Sequence, residues 1–160
     1  IPQSTSLVIL QNEIPEEVNL EVALKAKAVD AEVWLNAAPA RELPNRLVEV
    51  VDLLIVNQVE AEFYTSSRRS VKVLKTLGAQ GVYYDDVQYS GFLVDVVSTH
   101  GAGDMFVGAL AAQVVRGNPM VDAIRFAQAA AALHVACQQE KRKGLSAQSV
   151  IRFLADQDSL

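Results

Sequence analysis

The chain has 160 residues, of which 51% are hydrophobic and 21% charged, with a formal net charge of −5. That balance suits a globular protein with one buried core; the lack of a basic block excludes a nucleic-acid surface, and the single cysteine, Cys137, excludes an internal disulfide and fits a reducing, cytoplasmic setting. The apolar stretches Met105–Val115 and Ala129–Cys137 fall short of the roughly 20 residues of a membrane span, no secretory signal is visible, and both stretches read as buried helices.

Leu7–Leu10 is a short β-type run. Pro15, Glu16 and Glu17 then open a helix, because proline and acidic side chains both favour a helix start. Val18, Val22, Ala23, Ala26 and Val29 give it an apolar stripe. Glu32–Asn36 is the next strand, closed by the turn Ala37-Ala38-Pro39, and Pro44–Val50 is a short helix. Leu53–Val56 is a continuous apolar run, as in a strand buried on both faces. This β-α-β-α-β order predicts a parallel sheet covered by helices. Gln58–Ser70 is thin for the crossover that must follow, and its end, Thr65–Ser70, is polar and aperiodic. Val71–Lys75, Val82–Tyr84, Val87–Tyr89 and Phe92–Val97 read as strands, with turns at Thr76–Gly81 and Asp85-Asp86. Helices are expected over 102–116, 120–137 and 146–156, the first two separated by Gly117-Asn118-Pro119. Residues 1–160 read as a single α/β domain.

Three short segments carry chemistry. In Gly101-Ala102-Gly103-Asp104 a chain leaving an extended segment enters a helix. The glycines let the backbone turn tightly and approach a ligand, and the first helical amides form an anion-binding end. Such amides stabilise charge on a transferred phosphoryl group, and the Asp104 carboxylate can accept a proton from a hydroxyl. The alternative is a plain turn with Asp104 stabilising the helix start. Asn57-x-x-Glu60 follows the buried strand, at the end of a sheet where α/β folds bind ligands. A carboxamide and a carboxylate at this spacing suit hydrated Mg²⁺ and phosphate oxygens, and equally form a helix cap. Thr76–Gly81 places Gly78 and Gly81 in a turn that either faces a nucleotide or simply reverses the chain.

Taken in order, these segments resemble the ribokinase (PfkB-type) carbohydrate kinases. Asn36–Pro44 is similar to that family's Asn-Pro-Ala-Pro-Ala-Arg stretch, Gln11–Pro15 to its Gln-x-Glu-x-Pro stretch, and Ala123–Ala132 to its penultimate helix. The similarity runs almost end to end, and it begins mid-family: it matches the C-terminal, nucleotide-binding portion, without the N-terminal half, Gly-Gly hinge and lid. It implies a ribokinase-like, three-layer, doubly wound and mostly parallel α/β fold. It also implies transfer of the γ-phosphate of ATP to a sugar hydroxymethyl group, with Mg²⁺ as cofactor. By position, Asp104 would be the catalytic base, and it would also meet the sugar. The backbone of Gly101, Ala102 and Gly103 would be the anion hole. Asn57 and Glu60 would organise Mg²⁺ through water. Thr76, Gly78 and Gly81 would line the nucleotide, with Gln128 near its base or ribose, and Glu13 matches a sugar-contacting acid. The partners implied are a small sugar and ATP, and the resemblance is compatible with a homodimer.

The departures are specific. Ser98 stands where the family has an aspartate that helps to bind a monovalent cation, K⁺, and a serine hydroxyl is a weaker, uncharged ligand. His100 replaces a small residue. The loop that also holds the cation is replaced by Gln138–Gly144, which reads as a solvated loop, and the thin crossover lacks a helix the family normally has. Fructokinase and nucleoside kinase activities belong to the same class, and a truncated, non-catalytic nucleotide-binding relative is the reading from a different one. His134 reads as a satisfied helix histidine rather than a ligand, Cys137 as a small buried hydrophobe, Trp34 as core, and Arg68-Arg69 as a solvated pair.

Overall fold

A computed structural model describes residues 1–64 and 71–159. The reading of Thr65–Ser70, including Arg68 and Arg69, lies outside them. The chain divides into two compact units: Ile1–Gly78 with Tyr83–Gln88, and Ala79–Val82 with Tyr89–Leu160.

The first unit is the α/β part. Its elements are β1 (Leu7–Gln11), α1 (Glu16–Lys27), β2 (Glu32–Asn36), α2 (Asn45–Val48), β3 (Leu53–Asn57), α3 (Gln58–Tyr64) and β4 (Lys72–Thr76). The hairpin β5 (Val82–Tyr84) and β6 (Val87–Tyr89) completes a six-stranded sheet. β1 with β2, β2 with β3 and β3 with β4 pair in parallel, and strand order follows chain order from β1 to β6, with no reversal among the described strands.

The apolar run in β3 explains its central place. Leu53, Leu54, Ile55 and Val56 are each at most 3% exposed, so both faces of that strand are covered. Trp34 and Leu35 in β2 are fully buried, as a core tryptophan should be. The core under α1 and α2 gathers Leu10, Ala23, Ala26, Val33, Leu35 and Leu47. Asp52 fixes the entry to β3, accepting from Val33 N at 2.7 Å and from Lys27 Nζ at 2.5 and 2.6 Å. Pro15 and Pro44 stand immediately before α1 and α2, where a missing N–H costs nothing. The β5–β6 turn has positive φ at both Asp85 (52°) and Asp86 (59°), the two-residue geometry that matches strand twist.

The crossover after β3 is better furnished than its sequence suggests. Gln58–Tyr64 forms a seven-residue helix, because Asn57 and Glu60 cap it and Tyr64 anchors its end, as described below.

The second unit is helical: α4 (Ala102–Val115), α5 (Met120–Ala136) and α6 (Ala147–Gln157). Helices α4 and α5 pack along each other. The alanines of α5 allow close approach, and Ala127, Ala129 and Ala130 are buried. Helix α6 lays Val150, Phe153 and Leu154 against Ala129, Ala130 and Phe92, with Phe92 and Phe153 edge to face at 5.3 Å between ring centres. Gly117 (φ 85°) ends α4 and Pro119 precedes α5. The strand expected at Phe92–Val97 is absent: the segment has no regular secondary structure. At its end, Val97 N and the following Ser98 N both donate to Val135 O, at the end of α5, at 2.8 and 3.1 Å. Gln138–Gly144 is solvated as expected, exposed at every residue but the half-buried Arg142. Gln139–Gly144 forms a 3₁₀ helix, for a reason that belongs to the site.

Candidate functional site

In the first unit the residues of interest collect where parallel strands end. The register pairs Gln11 with Asn36 and Asn57 with Thr76, so all four close their strands at the same edge of the sheet, the edge at which α/β folds bind ligands. Asn57 and Glu60 form a reciprocal cap. Asn57 N and Nδ2 donate to the two Glu60 carboxylate oxygens at 2.8 and 2.9 Å, and Glu60 N donates to Asn57 Oδ1 at 2.9 Å. Glu60 is 7% exposed while Asn57 is exposed. Each carboxylate oxygen accepts one N–H and retains lone pairs. This donor set fits a hydrated Mg²⁺ held through its waters, with the Asn57 side facing solvent. Thr76 Oγ1 lies 3.4 Å from Val56 O. Gly78 is exposed, has φ 59°, and would have open space around a Cβ.

Below that edge is a polar network that sequence reading missed. Asn12, only 3% exposed, donates through Nδ2 to Pro39 O at 3.1 Å and to Tyr64 Oη at 3.2 Å. Tyr64 Oη accepts from Arg41 N at 3.2 Å and donates to Arg41 O at 2.9 Å, while Arg41 Nη2 donates to Ile14 O at 2.8 Å. The network ties the Ala37–Leu43 segment to the turn that carries exposed Glu13 and to the end of α3. No local pattern marks Asn12 or Tyr64, because their partners lie 23 to 52 residues away.

In the second unit, Gly101 stands at the N-cap of α4 with φ 75°, a conformation natural to glycine. Ala102 N donates to Thr99 O at 3.1 Å and Met105 N to Gly101 O at 3.0 Å. The amides of Gly103 and Asp104 lie between these two bonds, at exposed residues, on the first turn of a 14-residue helix. The turn therefore sets the amide end of a helix beside a carboxylate, an arrangement of the kind that can receive an anion.

What lies behind the turn is the larger finding. His134 Nε2 is 2.9 Å from His100 O. A carbonyl can only accept, so Nε2 carries the proton. His134 therefore acts as a support, and a Cβ on Gly101 would come within 3.1 Å of its Nε2. Arg142, in the middle of the charged run, folds back on the same segment. It donates through Nη1 to His100 O at 3.1 Å, through Nη2 to Ser98 O at 3.0 Å, and through Nε to Cys137 O at 3.3 Å. Cys137 is accordingly half-buried, and its carbonyl rather than its thiol is engaged. The Ser98 hydroxyl accepts from His100 N at 3.3 Å. Arg142 makes no ion pair among the described residues. A monovalent metal does not fit these carbonyls, since they already face a guanidinium and Ser98 brings no negative charge. Two unit charges about 4 Å apart repel by about 4 kcal/mol at protein-surface permittivity.

Gly81 and Gln128 are brought together. Gly81 has φ 102°, and a Cβ there would lie 2.0 Å from Tyr89 O, 2.6 Å from Gly91 N and 2.8 Å from Gln128 Oε1. Gln128 is 8% exposed, and its Oε1 has no hydrogen-bond partner among the described residues.

Residues 3–143 match the family described as pfkB family carbohydrate kinase. The chain belongs to that family. It is 34% identical over 145 residues to a ribokinase of Lactococcus lactis, covering 83% of this chain and 48% of that protein. It is 32% identical over 176 residues to a ribokinase of Haemophilus influenzae, covering 96% and 57%. Among solved structures, Arabidopsis thaliana ribokinase complexed with ribose and ATP superposes with a TM-score of 0.82 at 29% identity, covering 92% of this chain and 55% of that one. This pfkB-family chain thus spans about half the length of the relatives it matches, and the expected ribokinase-like, mostly parallel α/β fold is borne out. Among the described residues no helix is long and apolar enough to cross a membrane.

Proposed function

We propose that the whole protein is an ATP-dependent sugar kinase, transferring the γ-phosphate of ATP to a hydroxymethyl oxygen of a ribose-like sugar. One observation carries this reading: an exposed carboxylate, Asp104, in the first turn of a long helix that opens on a left-handed glycine. Asp104 takes the hydroxyl proton as the sugar oxygen forms its bond to the γ-phosphorus, and the bond to the β-phosphate oxygen breaks to release ADP. The donors offered to the developing charge are the Gly101 and Gly103 amides, because the Ala102 amide is engaged by Thr99 O. Mg²⁺, when bound, neutralises phosphate charge. Asn57 and Glu60 would hold it through water, and their mutual cap keeps both side chains in one orientation. Thr76, Gly78, Gly81 and Gln128 support a nucleotide surface, and Glu13 a contact to the sugar.

The test is phosphate transfer by the full-length protein across pentoses, hexoses and nucleosides. Transfer to ribose in preference to the rest is expected. Preference for fructose or a nucleoside would move the substrate within the class, and no transfer to any acceptor would overturn the kinase reading in favour of a binding module.

A further inference from the structure

We propose that Arg142 is a built-in cation for the Gly101 turn, so that the turn is ordered, and its phosphoryl transfer supported, without a monovalent metal ion. The inference rests on the proposed kinase reading for its catalytic part. Its structural part stands on geometry alone.

Three peptide carbonyls, those of Ser98, His100 and Cys137, receive the three nitrogens of one guanidinium at 3.0–3.3 Å. Carbonyl oxygens that converge on one point carry partial negative charge and need a cation or N–H donors between them. Arg142 supplies both from one planar, cationic group. His100 O takes a second donor from His134 Nε2 at 2.9 Å, so the peptide entering Gly101 is held from two sides. The carboxylate needed to draw in a metal is missing from Ser98, whose hydroxyl already accepts from His100 N. The guanidinium makes no ion pair among the described residues. Its charge therefore remains available to the anion that the front of the turn is proposed to bind. Arg142 touches no substrate in this assignment and is a positioning residue.

The experiment uses the full-length protein and its R142A and R142K variants, in KCl and in N-methylglucamine chloride at matched ionic strength. Melting temperature and turnover are measured in each. For the parent protein, neither melting temperature nor turnover should depend on which of the two salts is present. R142A should lose turnover by about 10–100-fold with little change in the KM for ATP, as loss of a supporting residue does. Added guanidinium ion at low concentration should restore part of that turnover, and R142K should retain more than R142A. Stabilisation of the parent by K⁺ over N-methylglucamine, or a K⁺-activated turnover, would overturn the proposal. So would an R142A variant that folds and turns over like the parent. If no acceptor is phosphorylated at all, the kinase reading fails separately, and the K⁺ dependence of melting still decides the structural claim.

Discussion

At the scale of single residues the strongest leverage lies in Asp104 and two glycines. Asp104→Asn removes the base and keeps the shape, so kcat should fall by roughly 10²–10⁴-fold with ATP affinity nearly unchanged; single-turnover kinetics of the full-length protein would show this, and near-normal turnover would leave Asp104 a helix-start residue. Gly101→Ala meets two costs together, a left-handed backbone and a Cβ 3.1 Å from His134 Nε2. A loss of about 1–2 kcal/mol is expected from the backbone alone, read by urea denaturation, with turnover falling further because His134, which supports the His100 carbonyl, must give way. Gly81→Ala should be worse. Its Cβ would overlap the backbone of Tyr89 and Gly91, where no rotamer change gives relief, and roughly 2–4 kcal/mol is the expected cost.

At the scale of elements, α3 is seven residues long, too short to be stable by propensity. It is held at its start by the Asn57–Glu60 cap and at its end by Tyr64. Glu60→Ala strips the partner from two Asn57 donors and should destabilise the protein by about 1–2 kcal/mol, measurable by thermal melting. Asn57→Ala should cost a similar amount, and the double variant should cost less than the sum because the pair acts as one unit.

Legibility in the sequence also divides by element. Strands β1 to β3 and helices α4 to α6 could be read from periodicity and punctuation, since what makes them is local: the apolar run of Leu53–Val56, the prolines before α1, α2 and α5, the glycine after α4. Phe92–Val97 misled because β-type residues announce extended backbone and do not say whether a neighbouring strand exists. Here the available acceptor is Val135 O at the end of a helix. Arg142 was invisible for the same reason. A cation inside Gln-Glu-Lys-Arg-Lys looks like solvated charge until the fold carries Ser98 and His100 to it across 42 to 44 residues. The front of the candidate site was legible as a motif; its supports were not.

At the scale of the molecule, the proposed kinase reading makes Mg-ATP a ligand of the folded full-length protein, which it should stabilise by about 2.7 kcal/mol at a hundredfold excess over its dissociation constant. Thermal melting with and without Mg-ATP measures it, and the stabilisation should shrink in both Asn57→Ala and Gly81→Ala. An unchanged melting temperature would remove the nucleotide from the assignment.

The reach of Arg142 has a consequence for how the protein is born. The ribosome delivers Ser98 first, then α4 with Asp104 in its first turn, then α5, and only afterwards the arginine, 44 residues after Ser98. At ordinary elongation rates that interval is on the order of a few seconds. During it the nascent chain carries the Asp104 carboxylate while the turn before it lacks its guanidinium. A product that stops short of residue 142 would keep the acid and lack the anchor.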